Sequence, residues 1–327
     1  MKAVVITDYG TPDVMHYTDV NTPAPKATQV LIRTVATSVN FADVKARYGN
    51  KSGGNHPPFI PGLDVAGVIE ELGDEVHNLK VGQRVIAFPL NGSYAEYVVA
   101  NESLTFVIPD NLHFEIAAAC PIVSFTAYKL LADVARLTQG EMVLIHAAAG
   151  GVGTTASQLA KILGASCVIG TVGNESKFQT ALEAGCDHVI CYGTEDFSIK
   201  VKEITDGRGV DVILDSVAGS VSEKSLQCLA NYGRLIHFGN SSGEVGHFQT
   251  SDLHSSCRSV LGFSLGTTRK ERPYLLRDTA NHVFGYLSNG RLKIKVGHRF
   301  KLEDAAEAHR VVEGRHSVGK VLLTVSE

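Results

Sequence analysis

The stretch from Met142 to Gly153, Met-Val-Leu-Ile-His-Ala-Ala-Ala-Gly-Gly-Val-Gly, constrains the fold more than any other part of the chain. It opens with apolar residues of strand character, breaks into small residues, and runs directly into a helical pattern from Thr154 to Leu163. Strand, tight glycine turn and helix form the arrangement that points free helix N-terminal N–H groups at a pyrophosphate. Gly150 would let the backbone approach the phosphates, and Gly153 would let the helix pack closely on the strand. Ala148 stands where a first glycine is usual, so the pattern is Ala-x-Gly-x-x-Gly. Alone, such a turn reads equally as a plain loop. The flanking strand and helix tip the reading towards phosphate.

The surrounding pattern has the same character. Short β-rich runs recur at Met142–His146, Ser166–Val172, His188–Tyr192, Val210–Ser216, Arg234–Gly239 and Ser259–Leu265. Helical stretches between them include Glu175–Ala184, Ser198–Thr205 and Glu223–Ala230. Six strands with crossover helices predict an α/β fold, a Rossmann-type doubly wound parallel sheet that takes ligands at the carboxyl ends of its strands. The first ~120 residues read instead as an antiparallel β module with Pro and Gly punctuation, its strands at Lys2–Thr7, Gln29–Ser38, Gly67–Leu72, Arg84–Phe88 and Tyr94–Val99. After the Rossmann region a helix (Pro273–Leu287), a strand (Lys293–His298), a helix (Leu302–Glu313) and a strand (Lys320–Val325) follow. These are expected to return to the first domain and leave a cleft between the two. The expected division is 1–123, 124–265 and 266–327.

At 327 residues, two domains are the default. A net charge of −4 and a pI near 6.4 give no reason to expect nucleic acid or an anionic membrane as partner. No apolar run reaches the ~18 residues of a membrane span, and a strand from Lys2 leaves no room for a signal peptide, so a cytoplasmic protein is expected. The six cysteines show no Cys-x-x-Cys spacing and read as reduced, mostly buried thiols, with metal ligation or redox chemistry as the alternatives. Thirteen histidines form neither His-x-x-x-His nor a triad with Gly-x-Ser-x-Gly, so hydrolase chemistry finds no support. His146, inside the first Rossmann strand, reads as a core residue.

An NAD-binding Rossmann unit usually carries Asp or Glu at the tip of its second strand for the ribose 2′-OH. Here that strand ends Gly170-Thr-Val-Gly-Asn174, without a carboxylate. Glu175 follows where a helix starts, a common place for an acid. Lys177 comes four residues after Gly173. A small residue with a nearby cation suits a 2′-phosphate, although a first-turn lysine can equally be solvated.

These residues, in this order, resemble the zinc-independent quinone oxidoreductases (the zeta-crystallin group) of the medium-chain dehydrogenase/reductase superfamily. The resemblance spans essentially the whole chain. It is carried by Asn40-Phe-Ala-Asp43, Arg47-x-Gly49, Pro61-Gly-Leu-Asp-Val-Ala-Gly67, Phe125-Thr-Ala-Tyr128, Ala147–Gly153, Gly170–Gly173 and Phe238-Gly-Asn-Ser-Ser-Gly243. It implies a GroES-like, β-rich catalytic domain beside the Rossmann domain, NADPH as cofactor, and a homodimer or homotetramer. It also implies cofactor contacts from Asn40, Thr126, Ala149, Gly150, Gly151, Val152, Gly153, Phe238, Gly239, Asn240, Phe263, Leu265 and Arg315. Gly173, Lys177 and Tyr192 would surround the adenosine 2′-phosphate. The superfamily's zinc enzymes use Cys, His and Cys at the catalytic metal. The matching positions here are Asp43, Leu63 and about Ile122, which cannot hold Zn²⁺, and residues 90–110 lack the cysteines of a structural-zinc lobe. No metal is expected.

Without a Lewis acid, quinones and α,β-unsaturated carbonyls are better acceptors than alcohols or simple ketones, because they take hydride at a conjugated position. The protein's task is then to position the hydride and supply donors to the developing oxyanion. Asn40 is the first candidate for a polar group over the nicotinamide, or else it closes a turn at a strand end. Asp43 is a catalytic candidate or a helix N-terminal acid. Lys45 and Lys51 replace tyrosines of some relatives and are cationic donors or solvated surface lysines. The glycine-rich stretch 49–56 reads as a mobile lip. Three functions follow: an NADPH-dependent quinone reductase, a reductase of enones, enals or enoyl thioesters, or an NADPH-binding structural or regulatory protein with weak turnover. The apolar Ser259–Leu265 strand, without Pro or Lys, should form the sheet's edge and pair with a second copy.

Overall fold

The structure is a computed structural model that describes residues 1–49, 56–90 and 92–325. The chain divides into two compact units. One comprises Met1–Val123, Arg269–Gly290 and Ile294–Glu327; the other comprises Ser124–Thr268 and Arg291–Lys293.

The second unit holds a six-stranded sheet in which every pair is parallel. The order is His188–Cys191, Cys167–Val172, Met142–Ile145, Val210–Asp215, Leu229–His237, Ser259–Gly262, the doubly wound arrangement expected from the alternating pattern. Its central strands are apolar on both faces: Val143, Leu144, Ile145, Val212, Ile213 and Leu214 are all buried. Burial on both faces is why these segments read as continuous apolar runs. Strand order, not chain direction, reverses between Met142–Ile145 and Val210–Asp215, which opens the crevice where such sheets take ligands.

Several boundaries differ from the sequence reading. The edge strand ends at Gly262, not Leu265, and Leu265 begins a helix that runs to Glu271. Ser264 causes the change: its Oγ accepts from Thr267 N (3.1 Å) and its carbonyl from Thr268 N (3.0 Å), a local cap that competes with extension of the strand. The helix expected over Glu223–Ala230 lies at Ser220–Gln227, because Leu229 and Ala230 join the strand that follows. Helices Phe41–Arg47, Phe114–Ala119 and Pro121–Tyr128 were not legible: each is at most eight residues long, too short for a periodic signal.

The first unit is built on a seven-stranded sheet. Gln29–Val39 is its hub, pairing antiparallel with Val65–Leu72, Tyr97–Asn101 and Lys320–Thr324. Arg84–Ala87 and Thr105–Val107 continue one side. The exception to the antiparallel expectation is Val296–Lys301, which runs parallel to Lys320–Thr324 because helix Ala305–Glu313 crosses between them. That strand starts three residues later than expected, at Val296. Val30, Ile32, Val65, Ile69, Val85 and Val98 form one core cluster; Val39, Tyr94, Leu302, Ala305, Ala308 and Val321 form another. Lys51 and the body of the glycine-rich stretch, 50–55, lie outside the described residues. Among the described residues no helix is long and apolar enough to cross a membrane. Of the six cysteines, all free, Cys120, Cys186, Cys191 and Cys228 are buried, Cys167 is half-buried and Cys257 is exposed.

Candidate active site

The glycine turn is set by the backbone. After Ile145 the chain passes through Ala147 at φ +53°, and Gly150 caps helix Gly151–Ile162 with an extended conformation. Gly150 N donates to Ala147 O (2.9 Å), and Ala148 N donates to Thr171 O of the adjacent strand (2.9 Å). A Cβ on Gly153 would lie 2.3 Å from Ala147 O and 2.6 Å from the Ala148 Cα, so only glycine lets the helix sit this close to the turn. A Cβ on Gly150 would meet only Ala147 O, at 3.3 Å. The first-turn amides of Gly151, Val152 and Gly153 have no acceptor within the helix, and they are the donors a phosphate needs. Ala149 is buried directly before the turn.

Beneath the turn, His146 is buried and bridges Thr171 Oγ1 and Ser225 Oγ, each at 2.9 Å. Burial pushes its pKa down to about 4, so it is a neutral core residue, as its place in the strand suggested.

The second strand ends at Val172, and Gly173 follows, exposed. A Cβ there would come within 2.7 Å of the Tyr192 hydroxyl, so the structure brings Gly173 and Tyr192 together. Asn174 then folds back the chain, its Oδ1 accepting from Ser176 N (2.9 Å) and its carbonyl from Lys177 N (3.1 Å). Lys177 closes the single 3₁₀ turn Glu175–Lys177 and is half-buried. No carboxylate occupies the strand tip, which suits a phosphate rather than a bare ribose hydroxyl. Phe238, Gly239 and Asn240 follow the Leu229–His237 strand, with Phe238 N bonded to Asp215 O (2.9 Å) and Asn240 Oδ1 accepting from Gly243 N (2.7 Å). Phe263 N donates to His237 O (3.0 Å) at the end of the last strand, and buried Leu265 starts the next helix. All strands being parallel, the glycine turn, Gly173, Tyr192, Phe238–Asn240 and Phe263 lie along one edge of the sheet, the carboxyl edge. Thr126 does not follow a strand; it is buried in helix Pro121–Tyr128.

The remaining candidates belong to the first unit. Asn40 is the N-cap of helix Phe41–Arg47, and its N–H donates to Asp43 Oδ2 (2.8 Å). Asn40 and Asp43 cap this helix, as the turn-closing and helix-acid readings expected, and both lie inside a polar cluster. The Asn40 side chain is gripped on both sides. Its Oδ1 accepts from Lys320 Nζ (2.6 Å), and its Nδ2 donates to Asp64 Oδ1 (3.2 Å). A lysine only donates and a carboxylate only accepts, so the amide's orientation is fixed. Asp64 further accepts from Ser38 Oγ (2.7 Å) and Ile122 N (3.3 Å). Asp64 and Lys320 are both buried. Burial raises the Asp64 pKa against the pull of Lys320, and burial lowers the Lys320 pKa against the pull of Asp64. Lys45 is half-buried with its ammonium 5.7 Å from the Phe41 ring centre, and burial lowers its pKa. Arg315, at φ +58° just past helix Ala305–Glu313, is exposed.

The three positions that the resemblance sets against a catalytic zinc, Asp43, Leu63 and about Ile122, present one carboxylate and two aliphatic side chains. Asp43 caps its helix, the Leu63 carbonyl accepts from Arg269 Nη1 (3.2 Å), and Ile122 offers a backbone N–H to Asp64. Among the described residues no three His, Cys, Asp or Glu side chains gather as a metal ion requires. Sequence reasoning missed Asp64, Tyr94, His309 and Lys320 as members of this cluster. The available signal was a charged residue opening the apolar strand Lys320-Val-Leu-Leu-Thr324, which has to be paired if buried.

Residues 26–110 match the alcohol dehydrogenase GroES-like domain family, and residues 151–281 match a family described as zinc-binding dehydrogenase. Quinone oxidoreductase 1 of Escherichia coli is 36% identical over 96% of this chain and 97% of its own length. The synaptic vesicle membrane protein VAT-1 homolog of Danio rerio is 34% identical over 99% of this chain and 70% of its own length. The crystal structure of Escherichia coli quinone oxidoreductase complexed with NADPH superposes with a TM-score of 0.93 at 33% identity, covering 99% of this chain and all of that one.

Proposed function

The chain belongs to the zinc-independent quinone oxidoreductase family of medium-chain dehydrogenases/reductases, and from that premise we propose that it reduces quinones with NADPH, without a metal ion. Bound NADPH supplies the hydride. The observation that carries the reading is the carboxyl edge of the parallel sheet: a helix N-terminus behind Gly150, and a second strand that ends in Gly173 and Tyr192 where an NAD enzyme would place an acid. The residues fit the cofactor. Amides of Gly151, Val152 and Gly153 hold the pyrophosphate, and Lys177 with Tyr192 holds the 2′-phosphate, the lysine as a point charge and the tyrosine as a hydroxyl donor. Phe238–Asn240, Phe263 and Leu265 extend the nucleotide wall from the same unit, and Thr126 lines it from its helix.

In the first unit Asn40, held by Lys320 and Asp64, orients the reacting groups, and Asp43 fixes the turn that carries it. Lys45, whose pKa burial lowers, is the cationic donor to the developing quinol oxygen. The positions set against the superfamily's catalytic zinc hold one carboxylate, Asp43, and the aliphatic Leu63 and about Ile122, too few ligands for Zn²⁺, so the acceptor must delocalise charge by itself. The test is a steady-state screen of quinones, enones, enals and enoyl-CoAs with NADPH after exhaustive chelation. Turnover greatest with quinones and indifferent to chelator is expected; enoyl thioesters as the best acceptors, or activity that dies with removal of stoichiometric zinc, would reject the reading. A cytoplasmic setting fits the six free cysteines.

The Ser259–Gly262 strand forms the open edge of the sheet next to Leu229–His237, without Pro or Lys to blunt it. It is the surface through which a second copy extends the sheet into a C₂ dimer. Sedimentation as a monomer at micromolar concentration would refute this.

A further inference from the structure

A second chain of buried polar groups enters the first unit's cluster from the opposite side to Lys320 and Asp64. Arg47, Tyr94 and His309 are fully buried and Asp43 nearly so. Arg47 Nη1 lies 3.0 Å from His309 Nδ1, His309 Nε2 lies 3.1 Å from the Tyr94 hydroxyl, and Tyr94 is hydrogen-bonded to the Asp43 carboxylate. The donor inventory places every proton. A guanidinium only donates, so His309 Nδ1 accepts. The imidazole is neutral, because burial and then the Arg47 charge push its pKa down to about 3. Its one proton therefore sits on Nε2 and is donated to the Tyr94 oxygen. Tyr94 is left to donate its own O–H to Asp43, the carboxylate that also accepts the Asn40 N–H. Each of these bonds points from Arg47 towards Asp43. At the far end Arg47 is anchored by Gly10 O (2.8 Å) and Glu313 Oε2 (2.6 Å).

Such a chain cannot pass protons from the surface, since its outer member is a guanidinium, which offers N–H donors and no acceptor to take a proton up. It can only hold. We propose that Tyr94 and His309 are positioning residues for hydride transfer: through the Asp43 carboxylate they fix the cap at Asn40, whose amide Lys320 and Asp64 grip from the other side. Helix Ala305–Glu313, which brings His309 and ends at Glu313, thereby sets the geometry of a residue more than 260 positions earlier in the chain. This rests on the reading of Asn40 as part of the reaction site, and wild-type quinone turnover is the separate control on that reading.

Tyr94→Phe deletes one hydroxyl. Its kcat with NADPH and a quinone should fall about tenfold at every pH, with the pH profile unmoved and the Kd for NADPH within about twofold of wild type. His309→Gln keeps an acceptor for Arg47 and an N–H for Tyr94, so it should retain most of the wild-type kcat, whereas His309→Leu should match Tyr94→Phe. Unchanged kcat in a folded Tyr94→Phe enzyme would reduce the chain to a purely structural role and overturn the inference. A displaced pH profile would make it a proton conduit, and equal damage from Gln and Leu at 309 would deny the directed chain; either result also overturns it. If neither Tyr94→Phe nor His309→Leu folds, a His309→Gln enzyme with tenfold lower kcat is the overturning outcome, and one near wild type the supporting one.

Discussion

The glycine turn of the second unit and the Asn40 cluster of the first are written in the sequence in opposite ways. In the turn, Ala147, Gly150 and Gly153 meet within seven residues, and what matters is the backbone: a left-handed Ala147, a cap and a missing Cβ. In the cluster the partners are far apart, 280 residues between Asn40 and Lys320 and 262 between Arg47 and His309. They meet because Lys320–Thr324 pairs antiparallel with Gln29–Val39, with Val321 opposite Val39. That register carries Lys320 to Asn40. A backbone device can thus be read from a dozen residues, whereas a side-chain network exists only once the topology closes it.

The comparison predicts which changes each region tolerates. The largest effect belongs to the cluster. Lys320→Met should cost ~3–5 kcal/mol in urea unfolding because it strands the Asp64 carboxylate in the interior. Adding Asp64→Asn should recover part of that loss. A Lys320→Met protein as stable as wild type would mean that the two groups are not coupled.

Acid should weaken the protein through its buried imidazoles. His146 and His309 stay neutral when folded, with pKa values pushed down to about 4 and about 3 by burial, but take up protons when unfolded below about pH 6.5. Their contribution is complete above that pH and is lost as pH falls from about 6.5 towards 4, by about 3 kcal/mol for His146 alone. Asp64, raised by burial, works in the opposite sense where carboxyls titrate. The stability curve should therefore decline before most carboxylates protonate, and the His309→Gln variant should have a shallower slope. A flat curve between pH 7 and 4.5 would contradict the assignment.

Within the turn the two glycines should separate cleanly. Gly153→Ala forces a Cβ against the Ala147 carbonyl and should lose ~1–3 kcal/mol of stability. Gly150→Ala meets only one atom at 3.3 Å; it should leave Tm nearly unchanged and weaken NADPH binding instead. Equal losses of Tm would show that the turn's glycines share one role.

The same contrast explains what was legible. The doubly wound sheet and the apolar strand at its edge follow from runs of Val, Ile and Leu with glycine punctuation, and the structure has both. The end of that edge strand was misjudged because one hydroxyl, Ser264, caps a helix there. Asn40 and Asp43 were visible as polar residues at a strand end, but their partners were not: Lys320, Tyr94 and His309 carry no local mark beyond polarity inside apolar segments. Asp64 was seen only as part of a family motif, and its role appears only when Ser38, Asn40 and Ile122 are seen around it.

The most direct test of the central claim, that local residues of the second strand's end commit this protein to NADPH, is the ratio of kcat/KM for NADPH to that for NADH in wild type and in Lys177→Ala. The wild-type ratio should favour NADPH strongly. The variant should lose ~1–3 kcal/mol in kcat/KM with NADPH, the size of one charge-assisted hydrogen bond, and almost nothing with NADH. An equal loss with both cofactors, or a wild-type preference for NADH, would contradict the account.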